Sequence, residues 1–182
     1  MRNFISTSGL ILALMVFFII AGCGLSKEAE EWFNKGIDYH RAGAYERAIE
    51  CFDKALEIEP DYAEAWYNKG NALLYLGKYG EAIECYDRAL EIDPEDADAW
   101  ISKGVALDDL GEYEEALECY DKALKIDPED ALAWFNKGNV LFHLGKYEEA
   151  IECYDRALEI DPDFAYALMH KELALGHLGK YE

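Results

Sequence analysis

The chain has 4 prolines and 17 basic residues against 38 acidic ones in 182, a net charge of −21. A polyphosphate partner would be repelled by that charge, so nucleic acid is not an expected ligand. Scarce proline, an apolar content of 52% and plentiful Glu, Ala, Leu, Lys and Tyr exclude a disordered acidic tail and point to a helical globular body. Several chemical signatures are also missing. There is no Gly-x-x-x-x-Gly-Lys-Ser/Thr phosphate loop, no His-Glu-x-x-His, no Gly-x-Ser-x-Gly and no Asp-rich calcium loop with a central Gly. No Cys-x-x-Cys or Cys-x-x-His pair starts a zinc site. No catalytic residue, cofactor or metal is therefore expected, and the chain does not read as an enzyme. Four histidines are present, His40, His143, His170 and His177, and polar groove lining accounts for them better than a surface metal site.

Long apolar runs are absent too, with one short exception. Residues 9–21 carry no charged or strongly polar side chain, short of the roughly 20 needed for a spanning helix. That length suits the apolar region of a secretory signal. The run ends in Ile20, Ala21, Gly22 and Cys23, which resemble the lipobox of bacterial and some archaeal lipoprotein precursors. The resemblance implies cleavage after residue 22 and a lipid thioether on Cys23. Two acyl chains would give stable membrane attachment, and residues 23–28 would form a short linker. The expected location is the extracytoplasmic face of a cell-envelope membrane.

The remaining chain repeats. Trp32, Trp66, Trp100 and Trp134 are spaced by 34, as are Cys51, Cys85, Cys119 and Cys153, Pro60, Pro94, Pro128 and Pro162, and Gly43, Gly77, Gly111, Gly145 and Gly179. Residues 63–96 and 131–164 match at 26 of 34 positions. In each unit one helix ends at a Leu-Gly or Ala-Gly step and a second ends before Pro. Trp66, Gly70 and Leu73 recur at helical spacing on the first helix, and Ala82, Tyr86 and Ala89 on the second. The small residues let the helices approach, while Trp66 and Tyr86 are expected to supply the large buried area. Glu84 with Arg88, Glu118 with Lys122, Glu50 with Lys54 and Glu152 with Arg156 are i, i+4 pairs expected to decorate a solvated face. Each repeated Cys follows a buried Ala by three positions and reads as a small apolar core residue. Disulfides between units are excluded because stacked hairpins stand ~10 Å apart and bridged Cα atoms need ~7 Å or less.

The unit "AWYNKGNALLYLGKYGEAIECYDRALEIDP", at a period of 34, closely resembles the tetratricopeptide repeat, or TPR. The resemblance covers residues 29–182 and implies an all-α, right-handed α-solenoid of helix-turn-helix units. Four units run over 29–62, 63–96, 97–130 and 131–164. A partial fifth, 165–182, is expected to act as a capping helix, because Glu172 replaces the Gly of the other units. Upstream there is no separate cap, so open ends exposing Trp32 would permit end-to-end self-association.

Differences between units concentrate on one stripe of the first helix, with spacing 3, 4, 3 and 1. It reads Glu30, Phe33, Ile37, His40 and Arg41; Glu64, Tyr67, Asn71, Leu74 and Tyr75; Asp98, Ile101, Val105, Asp108 and Asp109; Leu132, Phe135, Asn139, Phe142 and His143; then Tyr166, Met169, Leu173, Gly176 and His177. In TPR proteins the corresponding face lines a concave groove that holds a partner segment. Acids dominate its first three units, apolar groups and His its last two. The expected partner is a protein segment bearing basic residues and an apolar anchor. Phe135, Phe142, Tyr166 and Met169 would grip the anchor, with Glu64, Asp98, Asp108 and Asp109 steering. A TPR subclass clamps a C-terminal carboxylate with Lys and Asn; here Asn68, Asn71, Asn136 and Asn139 match in type, but the lysines are missing. The combined expectation is a membrane-tethered interaction scaffold, in envelope assembly or secretion. The alternative is an accessory subunit or portion of a larger enzyme or multi-domain protein.

Overall fold

The structure, a computed structural model, describes residues 26–179. The signal segment 1–22 and Cys23 lie outside the described residues. The helices are α1 (Lys27–Arg41), α2 (Tyr45–Ile58), α3 (Ala63–Tyr75), α4 (Tyr79–Ile92), α5 (Ala97–Leu110), α6 (Tyr113–Ile126), α7 (Ala131–His143), α8 (Tyr147–Ile160) and α9 (Ala165–His177). Among the described residues there is no strand, and no helix is long and apolar enough to cross a membrane.

Both ends of each hairpin follow from local chemistry. The first helices stop at Gly43, Gly77, Gly111, Gly145 and Gly179, all at positive φ between 67° and 78°. The next residue's N–H then turns back onto the helix, as Lys78 N does to the Leu73 carbonyl at 3.0 Å, satisfying a terminal acceptor. The "DPED" turns are likewise self-contained. Asp93 accepts from the Glu95 N–H at 3.2 Å, and Asp96 caps α5 by accepting from the Ala99 N–H at 3.0 Å. Asp127 and Asp130 repeat both bonds before α7, which accounts for the carboxylates without a cation.

Close approach within a hairpin rests on glycine. A Cβ on Gly70 would stand 2.6 Å from the Tyr86 ring, and one on Gly138 2.6 Å from Tyr154. Tyr86, Tyr120, Tyr154 and Phe52 are fully buried beside these glycines. The four repeated cysteines are buried and free, as expected of core residues. Burial pushes the thiols of Cys85, Cys119 and Cys153 up to about 11, so they are protonated and unreactive near neutrality.

Two details differ from expectation. The tryptophans are only half-buried: the indole N–H of Trp66 donates to the Pro60 carbonyl at 2.8 Å, with Trp100 and Trp134 doing likewise. Their rings are covered by cations, Lys54 lying 4.1 Å from the Trp32 centroid and Lys122 4.2 Å from that of Trp100. The expected i, i+4 ion pairs are replaced as well. Arg88 reaches Glu91 and Arg156 reaches Glu159, while Lys54 and Lys122 turn to tryptophan. The recurring ion pair instead crosses between units, as Lys69–Asp53, Lys103–Asp87, Lys137–Asp121 and Lys171–Asp155 at 2.5–2.7 Å.

The stack is curved, and its contacts show in which sense. Each helix packs on its chain neighbours, and each first helix also touches the next first helix, whereas successive second helices do not meet. The first helices therefore lie on the inner, concave side. The upstream end also proves polar. Where later first helices pack Ala65 and Ala72, Ala99 and Ala106, Ala133 and Val140, or Ala167 and Ala174 with no exposure, α1 carries Glu31 and Asp38, flanked by exposed Asn34 and Lys35. Charge thus stands on α1 at the two positions that in later first helices seat the preceding helix.

Candidate partner-binding groove

The concave side is built from α1, α3, α5, α7 and α9, and the helical register of the variable stripe places its residues along it. Its edge is an aromatic ladder. The second helix of each unit opens with a tyrosine, and the last turn of the following first helix lies against it. Tyr75 stacks on Tyr45 with centroids 4.9 Å apart and planes within 2°. His177 stacks on Tyr147 at 4.8 Å, and His143 packs on Tyr113 at 5.8 Å. At the remaining junction Tyr79 interacts with Asp109. His40 completes the first rung between Tyr45 and Tyr75; burial lowers its pKa, and its Nε2 is buried without a partner.

The floor carries a second repeating contact. The Tyr86 hydroxyl donates to Asn71 Oδ1 at 2.8 Å, and that of Tyr154 to Asn139 Oδ1 at 3.0 Å. In the first unit the pair is apolar, Ile37 packing on the cluster that holds Phe52. The third unit mixes the types. Val105 stands where asparagine would, and the Tyr120 hydroxyl is buried without a hydrogen-bond partner.

Apolar groups gather downstream. Phe135 packs among Phe164, His170 and Tyr154 at 5.0, 5.1 and 6.0 Å. Phe142 lies against Tyr147 and His177 at 5.2 and 5.3 Å. Leu132, Tyr166 and Met169 are 50%, 65% and 53% exposed, an unsatisfied apolar surface of the kind that marks interaction sites. Upstream, Phe33 is half-buried on Tyr62 and Phe52, and Tyr67 lies on Tyr86. Glu30, Glu64 and Asp98 are exposed. Burial and the neighbouring acids Asp96, Asp130 and Asp127 raise the Asp98 pKa. Burial and Asp108 raise that of Asp109, with Tyr79 opposing. Asp108 faces His143, Oδ1 to Nδ1 at 3.4 Å.

Ile101 departs from the expected lining: it is buried in the core cluster around Tyr120, whereas the larger Phe33, Tyr67 and Phe135 at the equivalent position stay partly exposed while packing on the same kind of ring. Sequence reasoning missed Tyr45, Tyr79, Tyr113 and Tyr147. Their signal was present, a tyrosine two residues past each Gly at the period of 34, but a search for differences between units passes over constant positions.

A family profile described as tetratricopeptide repeat matches residues 33–97, 67–131 and 101–163, which together span well over half the chain. The chain belongs to the tetratricopeptide repeat family. TPR proteins are generally non-enzymatic interaction scaffolds. Solved structures agree on the fold. MamA 41-end from Desulfovibrio magneticus RS-1 is similar at 24% identity and TM-score 0.80, over 86% of this chain and 89% of that one. Another MamA crystal structure is 26% identical at TM-score 0.75, over 80% and 85%. The first TPR of Spaghetti (RPAP3), bound to the HSP90 peptide SRMEEVD, is 28% identical at TM-score 0.63, over 64% of this chain and 93% of that one. Comparison with curated proteins gives no significant match.

Proposed function

We propose that this TPR protein is a membrane-tethered scaffold whose concave groove holds a partner segment carrying basic residues and an apolar anchor. The observation that carries the reading is the polarity of the groove. Phe135, Phe142, Tyr166 and Met169 form an apolar downstream half, and Glu64, Asp98, Asp108 and Asp109 an acidic upstream half. The RPAP3 unit holds an HSP90 peptide that ends Glu-Glu-Val-Asp. The groove here has the opposite requirement, since its own charge is negative where that peptide is acidic. The tether is a lipid on Cys23 after removal of residues 1–22, placing the solenoid on the outer face of a cell-envelope membrane, in assembly or secretion.

The test is a membrane pull-down with the lipidated protein, partners identified by mass spectrometry and the Cys23 peptide weighed. The captured partner's binding should weaken with added salt and with Phe135→Ala. Partner binding insensitive to both would remove the groove assignment. An unmodified Cys23 would remove the tether while leaving the groove intact.

A further inference from the structure

The third unit breaks the groove-floor rule that the second and fourth obey, and the break coincides with the densest groove acidity. Tyr120 is fully buried, its ring packed against Gly104 as Tyr86 packs on Gly70 and Tyr154 on Gly138. The equivalent hydroxyls end at Asn71 and Asn139, so the Tyr120 hydroxyl ends at the groove floor beside Val105. Asp108 and Asp109 follow Val105 by three and four residues on α5, placing all three on one face. Both carboxylates act electrostatically on Tyr120. A buried hydroxyl without a partner costs about 1–3 kcal/mol, and both counterpart hydroxyls, of Tyr86 and Tyr154, are satisfied by an asparagine that this unit lacks. Among the described residues no lysine or arginine is paired with Asp108 or Asp109: His143 stands 3.4 Å from Asp108, and Tyr79 interacts with Asp109. The nearby Lys103 is engaged with Asp87 on the back.

Resting on the groove reading above, we propose that Asp108, Asp109 and the Tyr120 hydroxyl form the seat for one lysine or arginine side chain of the partner. A basic head brings several N–H donors and no acceptor. The seat presents two carboxylates and, once a basic head displaces the side chains that cover it, a phenolic oxygen that accepts. The arrival of a cation thus satisfies the orphan hydroxyl and neutralises the paired acids together. The apolar shelf at Phe135 and Phe142, on the next first helix, fixes where the partner's anchor lies relative to that basic residue.

The experiment selects a random twelve-residue peptide library on the full chain held in detergent micelles. The best peptide is then measured by fluorescence anisotropy against the wild type, Asp109→Asn, Tyr120→Phe and Val105→Asn. Enriched peptides should carry a Lys or Arg at a constant spacing from an aromatic or aliphatic residue. Asp109→Asn should weaken binding about tenfold, the size of one charge-assisted hydrogen bond. Tyr120→Phe and Val105→Asn should each weaken it several-fold while raising the melting temperature, since one removes the orphan hydroxyl and the other supplies its missing partner. Replacing the peptide's basic residue with norleucine should abolish sensitivity to Tyr120→Phe. Peptides that bind without a basic residue, or equal affinity for wild type and Tyr120→Phe, would overturn the seat and leave the groove standing. If no peptide is enriched, the groove reading falls and the seat with it.

Discussion

On the back of the solenoid every junction between units repeats the same contacts: a lysine of one first helix bonded to an aspartate of the preceding second helix, and a tryptophan under cations from both helices of its own unit. Along the groove the scaffold tyrosine is constant, but what lies on it changes from Tyr75 to Asp109 to His143 to His177. The difference shows where the physics is saturated. The back contacts satisfy one another inside the chain, whereas the groove keeps exposed apolar side chains, carboxylates with raised pKa values and one orphan hydroxyl.

The sharpest way to break this comparison is to fill a hairpin. Gly138→Val should destabilise the protein by about 3 kcal/mol in chemical denaturation, because its Cβ collides with a fully buried Tyr154 and overpacked cores do not relax freely. A near-normal midpoint would show that the hairpins are looser than described.

Alkaline titration gives a smaller effect confined to the core. The thiols of Cys85, Cys119 and Cys153 rise from 9.0 to about 11 in the fold. A raised folded-state value means the native state holds its proton more tightly. That stabilisation is complete below pH 9 and is lost as pH climbs through 11. Thermal melts should therefore fall over that window, and a variant with all four repeated cysteines changed to Ala should fall less. That variant should lose modest stability at neutral pH and keep partner binding, since the thiols face the core.

Gly80 supplies a change of opposite sign. It lies in the first turn of α4 with nothing within 4 Å of a built Cβ, and the equivalent positions hold Glu46, Glu114 and Glu148. Gly80→Ala should raise stability by roughly 0.5–1 kcal/mol, read as a higher denaturation midpoint. Last and smallest, Asp87→Asn removes one back-face ion pair with Lys103. Half-exposed pairs are worth about 0.2–1 kcal/mol, so a melt should shift slightly and high salt should erase the difference.

Much of this was legible in sequence. The period of 34 located Gly43 to Gly179 at helix ends and buried Cys51 to Cys153. It also required small residues opposite Phe52, Tyr86, Tyr120 and Tyr154. The variable stripe located the acidic and apolar halves of the groove, though Ile101 turned inward. What escaped was how the polar and aromatic side chains of different units meet. Glu84 and Arg88 formed a plausible local pair, but the arginine had Glu91 and the Trp66 ring within reach. The aromatic ladder joins residues about 30 apart, and nothing local distinguishes Tyr147 from any other helix-opening tyrosine.

By itself the sequence determined the hairpin, its repeat and the identity of the core, because these depend on helical periodicity, capping and residue volume within one unit. Only the tertiary structure decided which cation meets which acid, and that Tyr120 lacks the partner its counterparts Tyr86 and Tyr154 have. Those outcomes depend on how one unit is set against the next, a geometry that sums weak packing preferences over many side chains.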